Sequence, residues 1–185
     1  MDFDKLIRAR HSVRKFSSKM PMWEEIVECI DAARFAPMAG NNYTLKFITV
    51  NDPEKINKIG TACQQDFVKT AKYIVVVCSD PLRVTNAYGE KGKDYLRQQA
   101  GAAIQNFWLK LTEKKLATCW VGYFVDYQIK EALKIPEKID IEAVFPIGYE
   151  YKIDKTKKAK IDLTNIIYFN DYGNQKINKP KKFTA

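Results

Sequence analysis

The chain has 185 residues, 46% of them hydrophobic and 29% charged, with a formal net charge of +9. That balance fits one domain with a substantial core and excludes a disordered polymer. No apolar run approaches the ~20 residues of a membrane helix, and the acidic start Met1-Asp2-Phe3-Asp4 lacks the basic and then apolar pattern of a secretory signal.

Asp2 to Ala9 reads as a short helix with Phe3, Leu6 and Ile7 on one face. Alternation then makes residues 10–17 an extended segment. Arg10, Ser12 and Arg14 project to one side of it, and His11, Val13 and Lys15 to the other. Pro21 opens a second helix that runs to Phe35, and Pro37 stops it ahead of the loop Met38-Ala39-Gly40-Asn41-Asn42. Leu45 to Val50 reads as a strand, and Asp52-Pro53-Glu54 starts another helix. Tyr73 to Cys78 is a continuous apolar run, the pattern of a strand buried on both faces.

The stretch from Arg83 to Lys93 is polar, with Gly89 and Gly92, and reads as a surface loop or a mobile flap. The longest helix is expected from about Asp94 to Lys115. Its cluster Ala100-Gly101-Ala102-Ala103 lets another backbone approach, within the chain or across a dimer. Leu116 to Val121 reads as a strand, Asp126 to Lys134 as a helix, and Ile141 to Tyr149 as a strand. This order argues for a sheet flanked by helices, of mixed α and β class, and not for a simple doubly wound fold.

Four cysteines, Cys29, Cys63, Cys78 and Cys119, have no metal-ligand or redox-motif spacing, and His11 is the single histidine. A His/Cys metal site has no support, and thiols of this kind suit a reducing cytoplasm. From Tyr151 to Ala185 there are nine lysines against three aspartates. Such a tail could meet nucleic acid or an acidic partner, or be merely solvated. No nucleic-acid-binding motif accompanies it. The apolar stretch from Leu163 to Phe169 within it is expected to dock on the core or on a partner subunit.

Chemistry-bearing motifs are few. There is no glycine-rich phosphate loop, no dinucleotide turn and no carboxylate pair. Arg10, Ser12 and Arg14 form a plausible anion cradle, since arginine offers a fixed fork of donors and serine a hydroxyl. A redox enzyme whose cofactor carries the chemistry fits this poverty of acid–base groups.

Four segments carry a family resemblance. They are Arg10-His11-Ser12-Val13-Arg14-Lys15-Phe16; Ala36-Pro37-Met38-Ala39-Gly40-Asn41-Asn42; Gly101 to Leu109 followed by Thr118-Cys119-Trp120-Val121-Gly122; and Pro146-Ile147-Gly148-Tyr149 with the downstream lysine pair. Together they resemble a short form of the nitroreductase family of FMN-dependent enzymes. The resemblance implies an α+β fold, with a mixed central sheet flanked by helices, in an intertwined homodimer. It spans residues 1–185 as one domain, with 152–185 an extension wrapping the core or the partner subunit.

It also implies a cytoplasmic enzyme that carries hydride from NAD(P)H through bound FMN to an electron-poor acceptor such as a nitroaromatic or quinone. By the resemblance, Arg10, His11, Ser12 and Arg14 hold the phosphate and ribityl chain, completed by Lys158 and Lys160. Pro37, Met38, Ala39 and Asn41 reach the flavin from the other subunit. Gln65 lies near its pyrimidine edge, and Gly122 presents backbone groups near the ring. No catalytic side chain and no metal ligand is implied. Met38 stands where the family has a small hydroxyl residue, and Gln98 and Gln99 where an acidic residue is common. Alternative readings are a flavin-dependent dehalogenase or flavin-fragmenting enzyme on the same scaffold, an FMN binder without turnover, and a basic protein that binds nucleic acid or an acidic partner.

Overall fold

Two helices precede the first strand in the computed structural model, which describes residues 2–152 and 161–177. They are α1 (Phe3–Ala9) and α2 (Trp23–Ala33), followed by a 3₁₀ turn at Ala39–Asn41. Next come β1 (Leu45–Val50), α3 (Pro53–Ala62), α4 (Asp66–Lys69), β2 (Tyr73–Ser79), α5 (Leu82–Tyr88) and α6 (Lys91–Glu113). The sequence continues with β3 (Ala117–Thr118), α7 (Asp126–Leu133) and β4 (Asp140–Gly148). The strands form one sheet in the order β1-β2-β4-β3, with every ladder antiparallel.

All seven residues of β2 are buried, because helices cover both faces of the sheet. Tyr73, Val75 and Val77 enter a core built with Ile26, Cys29 and Ala33 of α2 and with Ala103, Ile104 and Phe107 of α6. Ile74, Val76 and Cys78 enter a second core with Ile56, Ile59 and Ala62 of α3 and with Ile129 of α7. The period-two alternation of strand side chains divides one strand between two cores. At the centre of the first, Phe145 of β4 meets the rings of Phe107, Trp108 and Trp120, with centroids 5.5, 6.2 and 5.7 Å away.

Local chemistry sets several boundaries. Asp52 caps α3 by accepting from the Glu54 and Lys55 amides at 2.9 and 3.1 Å, and Pro53 occupies the first helical turn. The helix expected from Pro21 starts at Trp23, and Pro21 is instead a buried residue ahead of it. The strand expected over residues 116–121 is only two residues long, with Val121 rejoining β4 by a single bridge to Val144.

The largest departure is at residues 83–93, where a loop or flap was expected. The chain there is helical: α5 ends at Tyr88, Gly89 turns with φ +59, and α6 begins at Lys91. Gly92 is not a breaker but a contact point. A Cβ on it would lie 2.7 Å from both the Thr85 Cα and the Val84 carbonyl oxygen, so its missing side chain lets α5 press against α6.

All four cysteines are buried free thiols. Burial pushes Cys29 and Cys63 up to about 12 and Cys78 up to about 11, from an ordinary value of 9.0. The folded form therefore holds these protons where the unfolded chain releases them. Their contribution to stability is complete below pH 9 and is lost as pH rises from 9.0 toward 12. Urea midpoints at about pH 8 and about pH 10 should show this fall, and Cys63→Ala should make it shallower. A thiol reagent at neutral pH should modify Cys29, Cys63 and Cys78 only after denaturation.

The contacts divide the chain into two units, Met1–Lys152 and Ile153–Ala185. In the second, Asp162 starts a 3₁₀ turn at Leu163–Asn165 by accepting from the Thr164 amide at 2.9 Å. Further on, the Phe169 amide donates to the Asn174 carbonyl at 2.7 Å, closing a turn that contains Gly173 at φ +89. No described helix of the chain is long and apolar enough to cross a membrane.

Candidate functional site

The extended segment after α1 is pinned at the edge of the sheet. Its Val13 amide donates to the Thr118 carbonyl at 2.9 Å, and its Ser17 amide to the Tyr149 carbonyl at 2.8 Å. Phe16 bridges to Glu150 and lies over Gly148, where a Cβ would sit 3.0 Å from the ring. Val13 and Phe16 are buried, and this fixes the direction of their neighbours. Ser12 and Arg14 are exposed on the opposite side. Arg10 lies with its guanidinium 4.4 Å from the centroid of Trp108, a cation–π contact that presets the side chain.

His11, half-buried, is tied to the chain through both ring nitrogens. Its Nε2 meets Glu150 Oε1 at 3.1 Å, and its Nδ1 meets the Ala9 carbonyl at 2.8 Å. The exposed donors of the segment are thus Ser12, Arg14 and Lys15, with the half-buried Arg10 beside them; Lys15, expected on the side of Val13, lies 4.6 Å from the centroid of Tyr151. Arg14 passes 6.0 Å from the centroid of Phe67, which follows Gln65 at the start of α4. Gln65 is half-buried beside this helix. Gly122 is exposed just beyond β3, with the Trp120 indole as its neighbour. Residues 10–16, β3 and the end of β4 therefore share one sheet edge. Lys158 and Lys160 lie outside the described residues.

Pro37, Met38, Ala39 and Asn41 belong to a second cluster. Gly40 and Asn41 turn through positive φ, 57° and 55°, which lets the loop reverse sharply. The Ala39 amide donates to Gln99 Oε1 at 3.0 Å, and Gln99 Nε2 donates to Thr44 Oγ1 at 2.8 Å. Gln99 is buried, so this pair of bonds welds the loop to α6. Gln99 and Trp108 are nine residues apart on α6, about 13 Å at helical rise. Within one chain the two clusters thus engage well-separated turns of the same helix.

Gln99 looked in the sequence like a departure from an acidic pattern, and its structural role was not read. A buried amide can accept from one group and donate to another at once, which a carboxylate cannot do. Gln99→Leu removes both bonds and leaves the Ala39 amide and Thr44 hydroxyl unpaired. Chemical denaturation should show a loss of about 1–3 kcal/mol, with faster amide exchange at Ala39.

A cavity of about 490 Å³ opens beside the loop. Met38 and Ala39 line one side, Tyr88 of α5 another, and Tyr95, Gln98 and Ala102 of α6 its floor. No group of acidic, histidine or cysteine side chains able to hold a metal ion occurs among the described residues.

The Nitroreductase family model matches residues 7–70 and 60–149. This chain belongs to the nitroreductase family. It is 31% identical over 150 residues to the "Putative NADH dehydrogenase/NAD(P)H nitroreductase" of Archaeoglobus fulgidus, covering 78% of this chain and 83% of that one. It is 23% identical over 172 residues to the iodotyrosine deiodinase of Thermotoga neapolitana, covering 78% and 86%. Among solved structures, the FMN-dependent nitroreductase of Clostridium difficile R20291 superposes with a TM-score of 0.76 at 25% identity, covering 90% and 98%. The nitroreductase fold thus accounts for helices on both faces of this antiparallel sheet.

Proposed function

We propose that this nitroreductase-family oxidoreductase binds FMN and carries hydride from NAD(P)H to an electron-poor acceptor such as a nitroaromatic or quinone. The observation that carries the reading is the pinned edge segment with Ser12 and Arg14 exposed and Arg10 half-buried over Trp108. Two guanidinium forks and a hydroxyl form a donor set suited to a phosphate, and the buried Val13 and Phe16 hold them in place. The residues present fit the cofactor in charge and in donor type.

Bound FMN supplies the two-electron redox chemistry. The chain's own contribution is binding, orientation and electrostatics. Arg10 and Arg14 would neutralise a bound phosphate, and Ser12 would donate to it. His11 keeps the segment in register through Glu150. Gln65 and the backbone at Gly122 would offer donors to a bound flavin. The loop of Pro37, Met38, Ala39 and Asn41 would contact a cofactor bound by the partner subunit. No side chain is assigned as a proton donor.

This last role requires a homodimer, and α1 supports one. It carries Phe3, Leu6 and Ile7, yet buries none of its residues within the chain. Phe3 is 64% exposed, and Phe35 beyond α2 is 71% exposed. Both line a groove with Leu109 of α6. Such a patch calls for a covering surface, and a second copy is the occupant the family fold supplies. The enzyme is proposed to work in the cytoplasm.

The visible spectrum of the purified protein, before and after anaerobic NADH or NADPH, tests the reading. Flavin bands that bleach are the expected result. A colourless protein that takes up no FMN on reconstitution would overturn it.

A further inference from the structure

A groove of about 550 Å³ runs between α3 and α7. Its walls are fixed by what lies beneath them. Ile56, Ile59 and Ala62 of α3 share a buried core with Ile129 of α7. The Val125 amide donates to the Ala62 carbonyl at 2.9 Å, which ties the start of α7 to the end of α3. Beyond α7, Lys130 Nζ donates to the Glu137 carbonyl at 2.9 Å and holds the following turn down. None of the described lining residues belongs to the edge segment or to the Met38 loop.

The groove collects positive charge. Lys55 and Lys58 line it one turn apart on α3, and Lys134 lines it at the end of α7. None of the three is in an ion pair among the described residues, although Lys69 of α4 and Lys130 of α7 both are. Glu131 is the one acid among the described lining residues, so two positive charges are left unmatched. Asn57 adds a side-chain amide with no partner among the described residues, and Gln128 adds one bonded only to the Tyr127 hydroxyl. Lys134 ends α7 in the left-handed region, at φ 55 and ψ 39, where glycine is the ordinary occupant. A lysine there accepts backbone strain, and what it adds is an ammonium at the groove.

We propose that the groove between α3 and α7 is a binding site for a small phosphate monoester. A phosphate dianion matches the two unmatched positive charges, whereas a carboxylate would match one. Lysine suits this group as a point charge whose rotatable donors adapt to tetrahedrally arranged oxygens. Lys55 to Thr61 spans about 9 Å of α3 at helical rise, longer than a phosphate alone. The volume also falls in the range of small-molecule sites. Room therefore remains for a sugar-sized body, to which Asn57 and Gln128 offer amides. The site stands independently of the flavin reading.

Titration of the purified protein, with whatever flavin it holds, against ribose 5-phosphate tests this by the amide NMR signals of residues 55–61 and 128–134. These signals should move saturably, with half-saturation below about 5 mM. Lys58→Ala and Lys134→Gly should each weaken binding by about three- to tenfold. Lys134→Gly should at the same time keep or raise the thermal midpoint, because glycine relieves the left-handed turn, and this separates a lost contact from a lost fold. Glu131→Gln should tighten binding by about two- to fivefold. Signals that stay still, that move equally with ribose or with sodium chloride of matched ionic strength, or that respond alike in the parent and both lysine variants would overturn the assignment. So would movement with poly-L-glutamate alone, which would make the groove a surface for an acidic chain.

Discussion

An Arg14→Ala protein is expected to hold FMN about 10- to 100-fold less tightly than the parent, measured by fluorescence titration of the apoprotein. Arg14 is exposed on the same side as Ser12, with the ring of Phe67 as its described neighbour. It is therefore available to a ligand and contributes little to the fold. A charge-assisted bond to a phosphate is worth roughly 1.5–3 kcal/mol, which sets the size of the loss. The thermal midpoint of the apoprotein should barely move. Arg14→Lys should recover only part of the affinity, since an ammonium restores the charge but not the two-pronged fork. Unchanged flavin retention in Arg14→Ala would remove this residue from the phosphate site and weaken the case for the whole edge segment.

The second large effect belongs to Phe145. Replacing it with alanine should cost about 3–5 kcal/mol in urea denaturation, the range for deleting a fully buried ring. Phe145 is completely buried and is the shared neighbour of Phe107, Trp108 and Trp120. The cavity left behind would lie between β4 and α6, where the backbone on each side is tied into sheet or helix and cannot collapse. A functional consequence accompanies the loss of stability. Trp108 is the platform under Arg10, so a loosened indole should also weaken flavin retention in the fraction that remains folded. A destabilisation below about 1 kcal/mol would show that this ring cluster is not the packed centre described here.

Much of the fold was legible because local signals bracketed the elements. Leu45–Val50 was read to the residue, with Asn51-Asp52-Pro53 closing the strand and opening the next helix. The continuous run from Tyr73 was recognised as buried on both faces, although such a run cannot tell an antiparallel strand from a parallel one. The segment 83–93 was misread because its two glycines look like loop punctuation. Gly89 does end a helix, while Gly92 exists for helix packing, and a composition signal does not separate the two. β3 proved short because only Ala117 and Thr118 pair with the end of β4 before the chain turns away.

The site divides in the same way. The alternation of residues 10–14 was visible, and burial of Val13 with exposure of Ser12 and Arg14 follows it. What anchors the segment was not visible. Its partners Thr118, Tyr149 and Glu150 are more than a hundred residues away, and such pairings leave no local trace. Tyr88 and Tyr95 were likewise unremarkable as sequence, one beside a glycine and the other in a helix. Only the close approach of α5 to α6 sets them edge to face.

The fully apolar β2 has a consequence for how the chain reaches its native state. In a strand with one wet face, slipping by a single residue exposes the core side chains and is rejected at once. Here a slip would exchange Val75 and Val77 for Ile74 and Val76, and either set is content in a dry interior. Hydrophobicity alone thus hardly distinguishes the right alignment from its neighbour. The discriminating information comes later: the bulk of Tyr73, the irregularity opposite β4 at Val77 and Cys78, and the Ser79 hydroxyl reaching Glu142 at 2.5 Å. Until β4 arrives from sequence positions some seventy residues on, misaligned β1–β2 pairs are nearly as comfortable as the correct one. A slow, error-correcting phase is the expected result when refolding is followed by stopped-flow fluorescence.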